Sequence, residues 1–223
     1  MRACLRQGDE KAALECASSR DLFAARRPGN VEFVLPALLG IGLAASCGFR
    51  VFAPLLVASA AAYGGYLKLT AGFEWIGTVP ALAAFAVAAA IETLAYYIPW
   101  LDNLLDTIAS PLAVIAGMVL FAASVTGLDP FLKWTLAIIA GGGSAAIVQG
   151  GAVFARGAST ATTGGLANFV VSTFELIASI FFPVVSIVVP LVAVILLAIV
   201  VGTMYCAARR LVQKFRGTDD RLS

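Results

Sequence analysis

Hydrophobic and polar positions divide the chain into long apolar runs with short polar interruptions between residues 33 and 208. Phe33 to Leu67 is apolar for far longer than the about 20 residues that cross a bilayer. It carries Gly40, Gly42, Gly48, Arg50 and Pro54. It reads as one long or broken element, kinked near Cys47–Pro54, because proline removes a backbone donor and bends helices. Val79 to Ile98 is a second span, with Trp75 before it and Tyr96, Tyr97 and Trp100 at its far end. Aromatics at those places suit the two membrane interfaces. Pro99 to Thr107 reads as a short connection. Ile108 to Val125 is a third span, ended by Gly127-Leu128-Asp129-Pro130. Leu132 to Phe154 is a fourth, interrupted at Gly141-Gly142-Gly143. Arg156 to Gly165 reads as a polar loop of small residues. Leu166 to Phe182 is a fifth span, Pro183 marks a turn, and Val184 to Ala208 is a sixth with Pro190 inside it. The pattern predicts an all-α, polytopic transmembrane helical bundle of about six spans. Residues 1–31 form a polar tail, 32–208 the transmembrane domain, and 209–223 a basic tail.

Composition agrees with this reading. Of 223 residues, 61% are hydrophobic, against about 45–50% in a soluble domain. Residues 1–30 have no apolar h-region, so the first span is expected to serve as the insertion signal. The net charge of +2 is too small to suggest nucleic acid. Its placement is more informative. Arg2, Arg6, Lys11, Arg20, Arg26 and Arg27 precede the first span, and Arg209, Arg210, Lys214, Arg216 and Arg221 follow the last. The positive-inside bias puts both ends in the cytoplasm, which demands an even number of spans. A seventh span, made by splitting the first run, would leave one basic tail outside.

With no His in the chain, the commonest catalytic base and metal ligand are missing. Cys4, Cys16, Cys47 and Cys206 show no metal-type spacing. There is no activated Ser or Cys motif and no cofactor fingerprint. An enzyme is therefore not expected, nor is a cofactor.

The halves 32–127 and 131–208 echo each other. Gly40-Ile-Gly-Leu-Ala-Ala45 is similar to Gly141-Gly-Gly-Ser-Ala-Ala146, and each is followed by an arginine, Arg50 or Arg156. A glutamate within a span comes next, Glu92 or Glu175, then Pro99 or Pro183, then a proline-led apolar run. Three spans per half would invert the second half, a recurrent transporter plan with its site at the midplane. Chance similarity in a composition rich in glycine and alanine is the competing account.

Only 13% of residues are charged, so those beside or inside apolar runs stand out. Glu92 and Glu175 read either as proton or cation coupling groups or as members of structural Arg–Glu pairs. Arg50 and Arg156 read as anion ligands, as partners of those glutamates, or as snorkelling to headgroups. Arg50 with Glu175, or Arg156 with Glu92, would join the two halves. Asp102 and Asp106 lie four apart, on one face of any helix there. With Asn103 they supply oxygen ligands suited to a hard cation, or else a solvated connection; they are too few to name a metal. Ser159, Thr160, Thr162 and Thr163 with Gly164 and Gly165 either cradle an anion or form a plain loop. Gln149 and Asn168 are expected to hydrogen-bond between helices or to line a site.

Three motifs carry a resemblance: G-I-G-L-A-A-S-C-G-F-R-V-F-A-P-L-L, Y-Y-I-P-W-L-D-N-L-L-D-T-I-A-S-P and R-G-A-S-T-A-T-T-G-G-L-A-N. From about Leu35 to Leu197 the chain resembles a bacterial membrane family known as domain of unknown function 4126. The resemblance implies a multi-pass protein of the inner (plasma) membrane and no particular chemistry. Residues 1–30 fall outside it, and no Met lies between Met1 and Met118, so a native start near Val31 is one reading of the polar tail. The leading functional expectation is a small transporter or channel-like protein for an ion or small polar solute. Lipid handling, with Arg50 and Arg156 meeting phosphate, and a non-transporting scaffold are the alternatives. The expected partners are the lipid bilayer and that solute. No oligomeric state is assigned.

Overall fold

The computed structural model describes residues 30–96, 99–164 and 168–219; the side chains of 30–32, 99–106, 162, 207, 208, 211, 212 and 214–219 are outside that description. The chain divides into Met1–Val34 and a unit from Leu35 to Ser223, and the packing below belongs to the second. The helices of the chain are α1 (Asn30–Ser46), α2 (Phe52–Tyr63), α3 (Val79–Ala95), α4 (Pro99–Ser124), α5 (Pro130–Leu136), α6 (Gly143–Thr163), α7 (Asn168–Val188) and α8 (Pro190–Asp219). A 3₁₀ turn, Glu74–Gly77, precedes α3, and a π-helical stretch, Ala137–Gly142, joins α5 to α6. Among the described residues there is no strand.

The bundle is built for a lipid solvent. Val87, Ile91, Ile139, Val170, Phe174 and Val188 face outward, each more than 60% exposed. The interior is lined largely by alanines and serines, with Arg50, Glu92, Arg156 and Glu175 among them. Small residues let helices approach where lipid gives no hydrophobic drive for association. Thr107–Ser124, Pro130–Ala161 and Asn168–Val188 are long and apolar enough to cross a bilayer. Phe33–Ser46, Phe52–Tyr63, Val79–Ala95 and Pro190–Cys206 are shorter apolar helices. The protein is a helical membrane protein.

Helix α4 runs through the middle and sets the directions of the others. A Cβ added at Gly40 would touch Phe121, and one added at Gly117 would touch the Ala44 carbonyl. Helix α1 therefore descends antiparallel to α4. After the break, Val51 and Phe52 lie beside Ala109 and Leu112. Beyond the far end of α2, the Thr70 N–H and hydroxyl bond the Ala123 carbonyl at 2.8 and 3.1 Å, and the hydroxyl bonds Val125 at 2.9 Å. Helix α2 therefore climbs back parallel to α4. The first apolar run is thus a helical hairpin, not one kinked crossing. Its tip, Cys47–Val51, is buried. At the helical rise, the 15 residues from Ala109 to Ser124 put the tip about 22 Å below the upper end of α4.

The same directions bear on the repeat. The Gly141 run also descends along α4, since a Cβ at Gly141 would lie 2.7 Å from Phe121 Cβ. The two matched glycine runs are parallel neighbours, whereas inverted halves would orient them oppositely. Their shared role is close approach. The backbones of α4 and the π-helical stretch come so near that a Cβ at Gly117 would be 3.0 Å from the Gly141 carbonyl.

Three boundaries also differ from the expected ones. Pro99–Thr107 is not a connection but the start of α4, because a proline is compatible with the first helical turn. Arg156–Thr163 is not a loop but the end of α6. Its Thr160 and Thr163 hydroxyls bond back to the Arg156 and Ser159 carbonyls at 3.0 and 2.8 Å. Pro183 is not at a turn but inside α7; the break falls at Val189, and α8 starts at Pro190.

Candidate functional site

The tip of the α1–α2 hairpin is irregular backbone enclosed by protein, and every donor there needs a partner. Cys47, Gly48 and Phe49 direct their N–H groups to Ala44, Ala45 and Ser46. The amides of Val51, at the N-cap of α2, and of Phe52, its first residue, are met from another helix. Val51 N–H donates to Oε1 of Glu92 at 2.8 Å, and Phe52 N–H to Oε2 at 3.0 Å. Glu92 thus caps α2 from 41 residues along the chain, and its negative charge lies on the positive end of the helix dipole.

Arg50 extends from the same tip and is 1% exposed. It donates through Nη1 to the Glu92 main-chain carbonyl at 3.5 Å and through Nη2 to the Ser172 carbonyl at 2.9 Å. Arg156 on α6 pairs with Glu175 on α7. Nε donates to Oε1 at 3.2 Å, and Nη2 lies 3.0 Å from Oε2. Tyr96, at the end of α3, joins the two arginines. Its ring centroid is 4.4 Å from the Arg50 guanidinium and 4.7 Å from that of Arg156, within cation–π range. Two cations and two anions therefore share one enclosed centre between the hairpin tip, α3, α6 and α7. An open, outward-facing groove of about 410 Å³ adjoins it, lined by Val51, Phe52, Ile91, Glu92, Ile108 and Leu112 among others.

The structure brings together Arg50, Glu92, Arg156 and Glu175, but with different partners from those expected. Arg156 pairs with Glu175 instead of Glu92, because Arg156 and Glu175 project from neighbouring helices α6 and α7. Glu92 serves the α2 amides. Gln149 and Asn168 act between helices: Gln149 Nε2 donates to Ser110 Oγ at 3.4 Å, and Asn168 Nδ2 to Thr160 Oγ1 at 3.1 Å. The backbone of Asp102, Asn103 and Asp106 lies in α4, while their side chains, like that of Thr162, are outside the described residues. Among the described residues no group of His, Cys, Asp and Glu could hold a metal ion.

Two members of the centre escaped the sequence reading. Tyr96 read as an interface anchor, yet it is only 5% exposed and turned inward. Ser172 drew no notice. Helical spacing holds the missing signal: Tyr96 follows Glu92 by four and Glu175 follows Ser172 by three, so each pair shares a face.

The family model described as Domain of unknown function (DUF4126) matches residues 37–210. The chain belongs to that family. The DUF4126 match takes in all four ionisable groups of the centre, both arms of the hairpin from residue 37, and α3 through most of α8. No curated protein and no solved structure matches the chain.

Proposed function

We propose that this DUF4126 protein is a small transporter or channel-like protein for an ion or small polar solute in a bacterial inner (plasma) membrane. The observation behind the reading is the buried hairpin tip carrying Arg50 and capped by Glu92. Non-helical backbone at membrane depth occurs where protein encloses it or water lines it. A central charge costs about 2.5–3.5 kcal/mol on insertion scales, and such groups mark substrate and ion pathways. Four of them in one enclosure suit a switch whose pairs exchange when a solute enters.

A topology accompanies this reading. Helices α3, α4, α5 through α6, α7 and α8 supply five crossings, and the α1–α2 hairpin enters and leaves by one face. The α8 end with Arg209 and Arg210 is cytoplasmic by the positive-inside bias, and Leu35 enters from the opposite face. Six spans with both ends cytoplasmic required α1 and α2 to cross once, and their opposite directions remove that support. Lipid handling required the arginines to meet phosphate headgroups, whereas both guanidiniums are enclosed by protein.

Purified protein in liposomes tests the function with a panel of alkali cations, halides and small carboxylates. Flux above that of protein-free vesicles, reduced in R50Q, supports the reading. Well-folded protein that moves none of the panel at either acidic or neutral pH refutes it.

A further inference from the structure

Four observations at the hairpin tip go beyond a structural cap. First, the α2 N-terminus presents two amides that would suit an anion, and a side-chain carboxylate fills that place. Second, among the described residues no carboxylate lies within ion-pair distance of Arg50. Its terminal nitrogens are held by main-chain carbonyls, and its buried Nε has no hydrogen-bond partner among those residues. Buried guanidiniums ordinarily pair with an anion. Third, Ser172 is fully buried, and its Oγ also has no partner among the described residues. Covalent geometry keeps that hydroxyl beside its own carbonyl, which holds Arg50. Fourth, the outward-facing groove of about 410 Å³ reaches Glu92, and apart from Glu92 its walls come from apolar residues such as Ile91, Ile108 and Leu112.

We propose that Arg50 Nε, Ser172 Oγ and the amides of Val51 and Phe52 form a site for a small monovalent anion, with the Glu92 carboxylate as its tethered competitor. This rests on the transport reading and names the solute class. When the anion takes the amides, the Glu92 side chain turns into the adjoining apolar groove. A carboxylate there would give up two N–H bonds and meet apolar walls. Glu92 therefore leaves as the neutral acid. One proton from water adds to one carboxylate oxygen, and no other covalent bond forms or breaks. The formal charge of the centre is zero with Glu92 ionised, since Arg50 and Arg156 balance Glu92 and Glu175. It is zero again with one anion bound and one proton on Glu92. The charged and titratable groups around Glu92 are Arg50 and Cys47 on the tip, Tyr96 at the end of α3, Arg156 on α6, and Glu175 behind Arg156. One proton thus accompanies each anion, and acidic pH favours uptake by mass action.

Chloride is the probe in proteoliposomes with a pH-sensitive dye inside. Wild-type protein is expected to move chloride and protons inward together, one for one, and faster at acidic pH. E92Q keeps an oxygen acceptor for the tip but has no titrating proton. Its chloride flux is expected to persist, lose its pH dependence and carry no protons. R50Q is expected to weaken chloride by about tenfold or more, the effect of one charge-assisted hydrogen bond. S172A tests the hydroxyl in the same way. Flux of another solute with no chloride response overturns the inference and leaves the transport reading standing. So does E92Q that retains the wild-type pH dependence. Thermal unfolding in chloride against gluconate at fixed ionic strength separates binding from transport. Stabilisation of E92Q by chloride, abolished in E92Q/R50Q, without flux supports the site and refutes transport. No chloride-dependent stabilisation of E92Q refutes the site.

Discussion

Replacing Glu175 by leucine leaves the Arg156 guanidinium enclosed without its carboxylate. The pair holds through contacts of 3.2 and 3.0 Å between residues that are 2% and 3% exposed. Breaking such a pair from one side costs about 3–5 kcal/mol, because the remaining charge stays desolvated and loses its attraction. The Tyr96 ring, 4.7 Å from Arg156, retains a cation–π contribution of about 0.5–2 kcal/mol, which favours the lower part of that range. At roughly 2–4 °C per kcal/mol for a chain of this size, E175L is expected to lower the melting temperature by about 6–12 °C. The double variant R156M/E175L removes both charges while keeping side chains of similar length. It is expected to match the wild type or exceed it, because two apolar groups escape the desolvation that the ions carry. Intrinsic fluorescence on heating, in detergent, with size-exclusion profiles as a folding control, measures both. A fall of less than about 1 kcal/mol in E175L would show that water reaches the pair and screens it, refuting the enclosed centre. A double variant as unstable as the single would show that shape, not charge, set the loss. Under the transport proposal, the rescued double variant folds and carries no flux.

Other outcomes are expected from the packing. In G48A the new Cβ would lie 2.5 Å from the Ala145 carbonyl and 2.6 Å from Val148 Cβ, so thermal unfolding should show a loss of about 1–3 kcal/mol; unchanged stability would mean the tip is loosely packed. At Gly42 a Cβ would run into the Ser186 hydroxyl, so G42A should destabilise and G42A/S186G should recover most of the loss. T70V removes the side-chain bonds that tie the outer end of the hairpin to α4, and about 1 kcal/mol should be lost. For topology, L35C and Q213C, both at exposed positions, in a background lacking the native cysteines should react with an impermeant maleimide from opposite sides of intact vesicles. Labelling from the same side would refute the five crossings.

Residue chemistry alone determined that this is a helical membrane protein, where its apolar runs lie, and that Arg50, Glu92, Arg156 and Glu175 stand beside or inside them. Those properties are local: lipid demands helices, and a charge within an apolar run is conspicuous wherever the run packs. It also marked the break near Cys47–Pro54, because glycine and proline act on their own backbone. It did not reveal that α2 turns back. Run length measures how much helix exists, whereas the angle across a break depends on what receives the tip amides, here a glutamate 41 residues away. The partners of Arg156 and Glu92 were hidden for the same reason, since pairing follows the neighbourhood of helices and not their order. Tyr96 suits an interface or an interior equally well until two guanidiniums meet its ring. The polar run after Arg156 looked like a loop because hydroxyls and glycines are loop formers in water. In the folded protein Thr160 and Thr163 direct their hydroxyls to carbonyls one turn back, and the helix runs on to Thr163.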